Sequence, residues 1–119
     1  MRVSAETSIN DIKDRFAQEF KGLKLEFFVK SHNPIEGSHK KDIIQSNKSA
    51  GELNPNIKPH NVYWKTDMTV NDLEQYFENE LGLHVQVFRL TGRNWLETTT
   101  TDDYSLAQQM KKSAETQTI

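Results

Sequence analysis

The sequence contains no cysteine, which excludes disulfide bridges, thiolate metal centres and cysteine nucleophiles at the outset. A reducing compartment fits that absence. An excess of one charge is also missing, because 15 Lys and Arg stand against 17 Asp and Glu for a net charge of −2. Non-specific nucleic-acid binding draws on surplus basic charge, so nucleic acid is not the expected partner. No apolar run has the length of a membrane span or a signal-peptide core, and the first residues are polar. The expectation is a soluble cytoplasmic protein with no membrane partner. Hydrophobic residues make up only 34% of the chain, so the core must be compact and the surface heavily polar. A length of 119 residues still suffices for a single domain, residues 1–119, without staples.

What is present is a change of hydrophobic period, and it occurs twice. Ser8 or Asn10 can cap a helix, because their side-chain oxygens accept from the free N–H groups of its first turn. Ile9, Ile12, Phe16 and Phe20 follow at spacings of three and four, on one helical face. Gly22 stops that helix, since glycine takes the left-handed conformation at little cost. Leu23, Leu25, Phe27 and Val29 then alternate with Lys24, Glu26, Phe28 and Lys30, the pattern of a half-buried strand. Thr69 or Asn71, then Val70, Leu73, Phe77 and Leu81, then Gly82, then Leu83, Val85 and Val87 repeat the whole arrangement.

An offset of 61 places Ile9 on Val70, Asn10 on Asn71, Asp11 on Asp72 and Phe16 on Phe77. An offset of 60 then places Gly22 on Gly82, Leu23 on Leu83 and Phe28 on Phe88. The same register sets Met1–Ala5 against Val62–Thr66, within a strand pattern over Asn61–Thr66. Residues 1–30 and 61–90 therefore read as a pseudo-repeat of strand, helix and strand. Two such units predict an α+β fold, a ferredoxin-like βαββαβ sandwich with its first and third strands central and both helices on one face. The turn signal Thr91-Gly92-Arg93-Asn94 extends the sheet by a hairpin strand near Trp95–Thr98. Asp102 can cap a last helix, Asp103–Ala114, so the C-terminal hairpin strand and helix occupy residues 93–114. Between the second and third strands lies a long insertion, residues 31–60, which holds all 3 prolines. A structureless loop of that length is uncommon in a compact domain, and a short helix near Asp42–Leu53 is expected within it.

In this arrangement one sheet face meets the helices and the other carries aromatic residues: Phe28, Phe88, one of Tyr63 and Trp64, and Trp95. Three readings account for them. The last helix folds back and lays Leu106 and Met110 over the rings; a protein partner or a homodimer covers them; or the rings stack the bases of a single-stranded nucleic acid. The glycine- and aromatic-rich third strand of ferredoxin-like RNA-binding modules has no counterpart in NVYWKTD, which argues against the third reading. In the long loop, Ser38, His39, Lys40 and Lys41 follow a glycine and offer an anion a turn with two cations. The second glycine of a P-loop is missing, and solvated lysines are the plainer account.

Catalytic chemistry finds no footing. His32, His39, His60 and His84 lack metal-ligand spacing, and no HExxH motif is present. No serine sits in a Gly-x-Ser-x-Gly elbow, and helix capping accounts for Asp102 and Asp103. The four-threonine run Thr98–Thr101 suits a strand end and a helix cap. No catalytic, cofactor or metal residue is assigned.

The stretches LKLEFF, GLHVQVFR, NWLETT and TDDYSLAQQ, with KKDIIQSNKSAGEL in the loop, resemble a family of small uncharacterised bacterial proteins. The resemblance covers most of the chain and implies a stand-alone bacterial protein of this size. It brings no activity, cofactor or site residue. The expected function is that of a small non-enzymatic protein-binding or adaptor domain using its open sheet face and long loop. Single-stranded nucleic-acid binding and anion or phosphate-ligand binding at the Lys-rich loop are the alternatives.

Overall fold

Each helix begins where a hydroxyl side chain takes up a free N–H. In the computed structural model, which describes residues 1–29 and 42–117, the Ser8 hydroxyl accepts from the Asp11 N–H at 3.1 Å and opens α1, Ile9–Glu19. Ser49 opens the short α2, Ala50–Leu53, with Glu52 bonding back to complete a capping box. Thr69 and Asp72 make the same box at the start of α3, Val70–Tyr76. Ser105 caps α4, Leu106–Gln117, with its hydroxyl accepting from the Gln108 N–H at 3.1 Å. The expected cap at Asp102 is thus corrected. Asp102 follows a 3₁₀ turn, Thr99–Thr101, and the helix begins at Leu106 rather than at Asp103.

The strands are β1 (Arg2–Val3), β2 (Leu23–Phe28), β3 (His60–Asn61), β4 (His84–Thr91) and β5 (Asn94–Glu97). They form a two-stranded sheet, β1-β3, and a three-stranded sheet, β2-β4-β5, with antiparallel pairing throughout. The fold is α+β. A ferredoxin-like order would insert the third strand beside the second and leave β2 and β4 on opposite edges. Here β2 pairs with β4 along its whole length, Leu23 opposite Arg89 through Phe28 opposite His84. The third strand is also shorter than the Asn61–Thr66 pattern predicts. It stops at Asn61, and only the Val62 N–H continues toward Met1, at 2.7 Å.

Alternation along β2 and β4 sends Leu23, Leu25, Phe27, Val85 and Val87 to one side, where they are buried with Ile12, Phe16, Leu73 and Phe77 of the helices. Val70, Leu73, Phe77 and Leu81 share one face although the last turn, Phe77–Leu81, widens to a π-helical turn before Gly82. Within the insertion, residues 42–44 run beside β2. The Val29 N–H donates to the Asp42 carbonyl at 3.2 Å, and the Ile44 N–H to that of Phe27 at 2.8 Å. The short helix expected near Asp42–Leu53 is α2, confined to the last part of that span.

Helix α4 docks on the helix side of the sheet. Leu106 is fully buried in the common core with Met110 packed against it. Gln109 accepts from Arg89 Nη1 at 2.6 Å, and Arg89 shares the face of Val87 by alternation. The expectation that Leu106 and Met110 lie over the aromatic face is corrected: they seal the opposite side.

Candidate functional site

The register of β2 on β4 and of β4 on β5 builds a groove on the sheet face turned away from the helices. Lys24 stands opposite Phe88, and Trp95 stands opposite Leu90, one alternation further along the same face. Lys24 Nζ therefore lies between two rings, 4.7 Å from the Trp95 centroid and 5.5 Å from that of Phe88. Such an ammonium–ring arrangement contributes about 0.5–1 kcal/mol where exposed. Arg93 and Asn94 of the hairpin turn close one end, while Ile43 and Gln45 form the far wall, around a space of about 400 Å³. Glu26 also lines the groove, and its carboxylate is already paired with Lys13 at 2.9 Å. Among the described residues no ion pair involves Lys24 or Arg93.

The sequence-predicted face is only partly assembled. Phe28 and Phe88 lie on it but are 3% and 6% exposed, whereas Trp95 is 40% exposed. Two nearly covered rings leave little surface on which bases can stack. Trp64 is corrected. Its half-buried ring packs against the core, 5.6 Å from Phe16 and 6.1 Å from both Phe20 and Phe77, and its indole N–H donates to Glu19. Tyr63 is exposed beside β3 under Lys65, and its N–H donates to the Tyr76 hydroxyl. The candidate anion residues Ser38, His39, Lys40 and Lys41 lie outside the described residues.

Among the described residues no strand pairs with the outer edge of β5. Asn94–Glu97 is exposed at every position, including Leu96 at 44%. The hairpin turns through Gly92 at φ 61° with no positive φ at Arg93, the pattern of a type II′ turn. On the opposite edge of the same sheet, residues 42–44 cover the Phe27–Val29 end of β2. Adjacent apolar residues in one short strand, Trp95-Leu96, are the sequence signal for this edge, since simple alternation would have kept one of them polar.

Where β5 ends, side chains replace the ladder. The Val87 N–H donates to Glu74 of α3 at 3.0 Å, and the Thr98 hydroxyl donates to the Val87 carbonyl at 2.8 Å. Burial, with the Asp102 and Glu97 carboxylates nearby, outweighs the Val87 bond and pushes the Glu74 carboxyl up from 4.5 to about 8. Sequence patterning did not single out Glu74, because its role depends on where β5 leaves β4. Among the described residues no cluster of His, Asp and Glu is arranged to hold a metal ion, and no helix is long and apolar enough to cross a membrane. No protein-family model matches the chain, and neither a curated protein nor a solved structure matches it significantly.

Proposed function

We propose that this chain is a small cytosolic protein-binding domain without catalytic activity, which docks an extended segment along the free edge of β5. The observation that carries the reading is a difference between the two edges of the sheet: residues 42–44 hold the Phe27–Val29 end of β2, while β5 presents Trp95 and Leu96 to water. An uncovered edge is a template for a further strand, and natural proteins usually blunt it. Main-chain pairing supplies affinity in that mode, and the groove beside Lys24, Arg93 and Trp95 supplies selectivity for side chains that are acidic or aromatic. Nucleic acid is the weaker partner, since Phe28 and Phe88 offer almost no free ring surface.

The internal repeat belongs to the same reading, with the two halves as copies that frame the sheet. Supporting it, Ser8 bridges Ser49 as Thr69 bridges Ser105. The Ala50 N–H donates to the Thr7 carbonyl at 2.7 Å, as the Leu106 N–H does to that of Met68 at 2.8 Å.

Selection of displayed peptides against the full chain, followed by amide shift mapping, tests the function. Enriched peptides are expected to shift Asn94–Glu97, Lys24 and Phe88, and Trp95→Ala is expected to weaken them roughly tenfold or more. Peptides that shift only other surfaces would remove the reading, as would no enrichment by a chain that also leaves the β5 edge unoccupied by a second copy.

A further inference from the structure

We infer that the occupant of the β5 edge is a second copy of this chain, joined across a two-fold axis through Leu96; the inference rests on the docking reading above. In a hairpin closed by Thr91 and Asn94, the main-chain groups of Asn94 and Leu96 point toward β4, and those of Trp95 and Glu97 point away from it. Among the described residues nothing bonds those outward groups.

A second β5 laid antiparallel sets Trp95 opposite the partner's Glu97, Glu97 opposite the partner's Trp95, and Leu96 opposite the partner's Leu96. Each outer pair exchanges both of its main-chain hydrogen bonds. The central pair is the close, non-hydrogen-bonded kind in which side chains meet most tightly. Leu96 is 44% exposed in the single chain, so the axis buries apolar surface that water otherwise covers.

Charge selects this register. Glu97 shares the face of Trp95, and Lys24 Nζ lies 4.7 Å from the Trp95 ring. Opposed β-carbons sit about 4.5–5.5 Å apart, so the partner's Glu97 carboxylate arrives beside Lys24 and Arg93, and symmetry repeats the contact. An axis through Glu97 would instead set two carboxylates face to face. The two-fold axis uses the β5 edge of each copy once, so the pairing closes at that edge, while residues 42–44 hold the Phe27–Val29 end of β2.

So short a strand edge falls well below the roughly 1,200–2,000 Å² of a stable interface, and a Kd of about 0.1 mM is the expected range. Sedimentation equilibrium of the full chain up to about 1 mM should show its mass rising toward the dimer. Leu96→Arg and Glu97→Lys should each weaken association about tenfold, and Lys24→Glu combined with Glu97→Lys should recover it. Because these side chains are on the surface, dispersed amide spectra of the variants verify folding. In the parent chain, protection of the Trp95 and Glu97 amides should rise with concentration.

A monomer throughout that range overturns the inference. So does a dimer that is indifferent to Leu96→Arg and leaves both amides unprotected. A monomer that still binds selected peptides along β5 removes only the second copy as occupant, whereas a chain that does neither removes the docking reading as well.

Discussion

Glu74 shows how one side chain can couple acidity to the end of a sheet. Its carboxyl stands in for the strand that β4 loses beyond Glu97, accepting from the Val87 N–H at 3.0 Å with Asp102 and Glu97 close by. With its value raised from 4.5 to about 8, the group is protonated in the folded chain and ionised in the unfolded chain between those limits. The folded state then binds more protons, so stability falls as pH rises from about 4.5 to about 8 and levels off above. The slope is at most about 1.4 kcal/mol per pH unit and is reduced by the residual exposure of the side chain. Glu74→Gln keeps an acceptor for Val87 and removes the titration. Urea midpoints should therefore decline between about pH 5 and about pH 8 for the parent chain and stay flatter for Glu74→Gln. Parallel curves for the two proteins would show that the carboxyl is not the group responsible.

At the scale of elements, the close approach of α4 to the start of β2 is set by Gly22. Its φ of +86° is a left-handed conformation, and a β-carbon there would come within 2.4 Å of the Ser113 hydroxyl oxygen. Ser113 in turn donates to the Leu90 carbonyl at 2.7 Å, holding the helix across the β2–β4 pair. Gly22→Ala is expected to cost about 2 kcal/mol or more, from backbone strain of roughly 1 kcal/mol plus displacement of α4. Chemical denaturation measures it, and a loss within about 0.5 kcal/mol would mean that the helix shifts freely. Helix α1 ends at Glu19 with Phe20 as its cap, ahead of the expected stop at Gly22, and Val29 falls beyond β2 and is exposed. The glycine stop at Gly82 was legible in the sequence, as were the buried faces of α1 and α3 and the alternation of β4 and of β2 through Phe27. Those signals are local. Which strand pairs with which is not, and identical periodicity serves a ferredoxin-like order and the observed β2-β4-β5 order equally well. Trp64 was misplaced for a related reason. The chain leaves strand geometry after Asn61, so alternation no longer decides which way the ring points. The helix start at Ser105 escaped notice because Asp102, also a good cap, precedes it.

Across the whole molecule the two tryptophans divide core from surface. Trp64 packs among Phe16, Phe20 and Phe77, bringing the segment after β3 onto both main helices. Trp95 stands 40% exposed in the groove, on the sheet face turned away from that cluster. One indole therefore reports packing of the entire domain, and the other reports the docking edge. In Trp95→Phe the remaining emission should be blue-shifted, and its loss in urea should coincide with loss of far-ultraviolet circular dichroism, as a single cooperative core requires. In Trp64→Phe the remaining emission should be that of a hydrated indole, readily quenched by acrylamide in dilute solution. That variant gives up part of a core contact and should lose about 1–3 kcal/mol of stability, less than full truncation of a buried aromatic. If Trp95 is already blue-shifted and shielded from quencher in the dilute chain, the β5 edge is closed within one molecule. A further strand would then have nowhere to add. A hydrated Trp95 that becomes shielded only as chain or peptide is added ties the exposed strand to the one event its geometry favours.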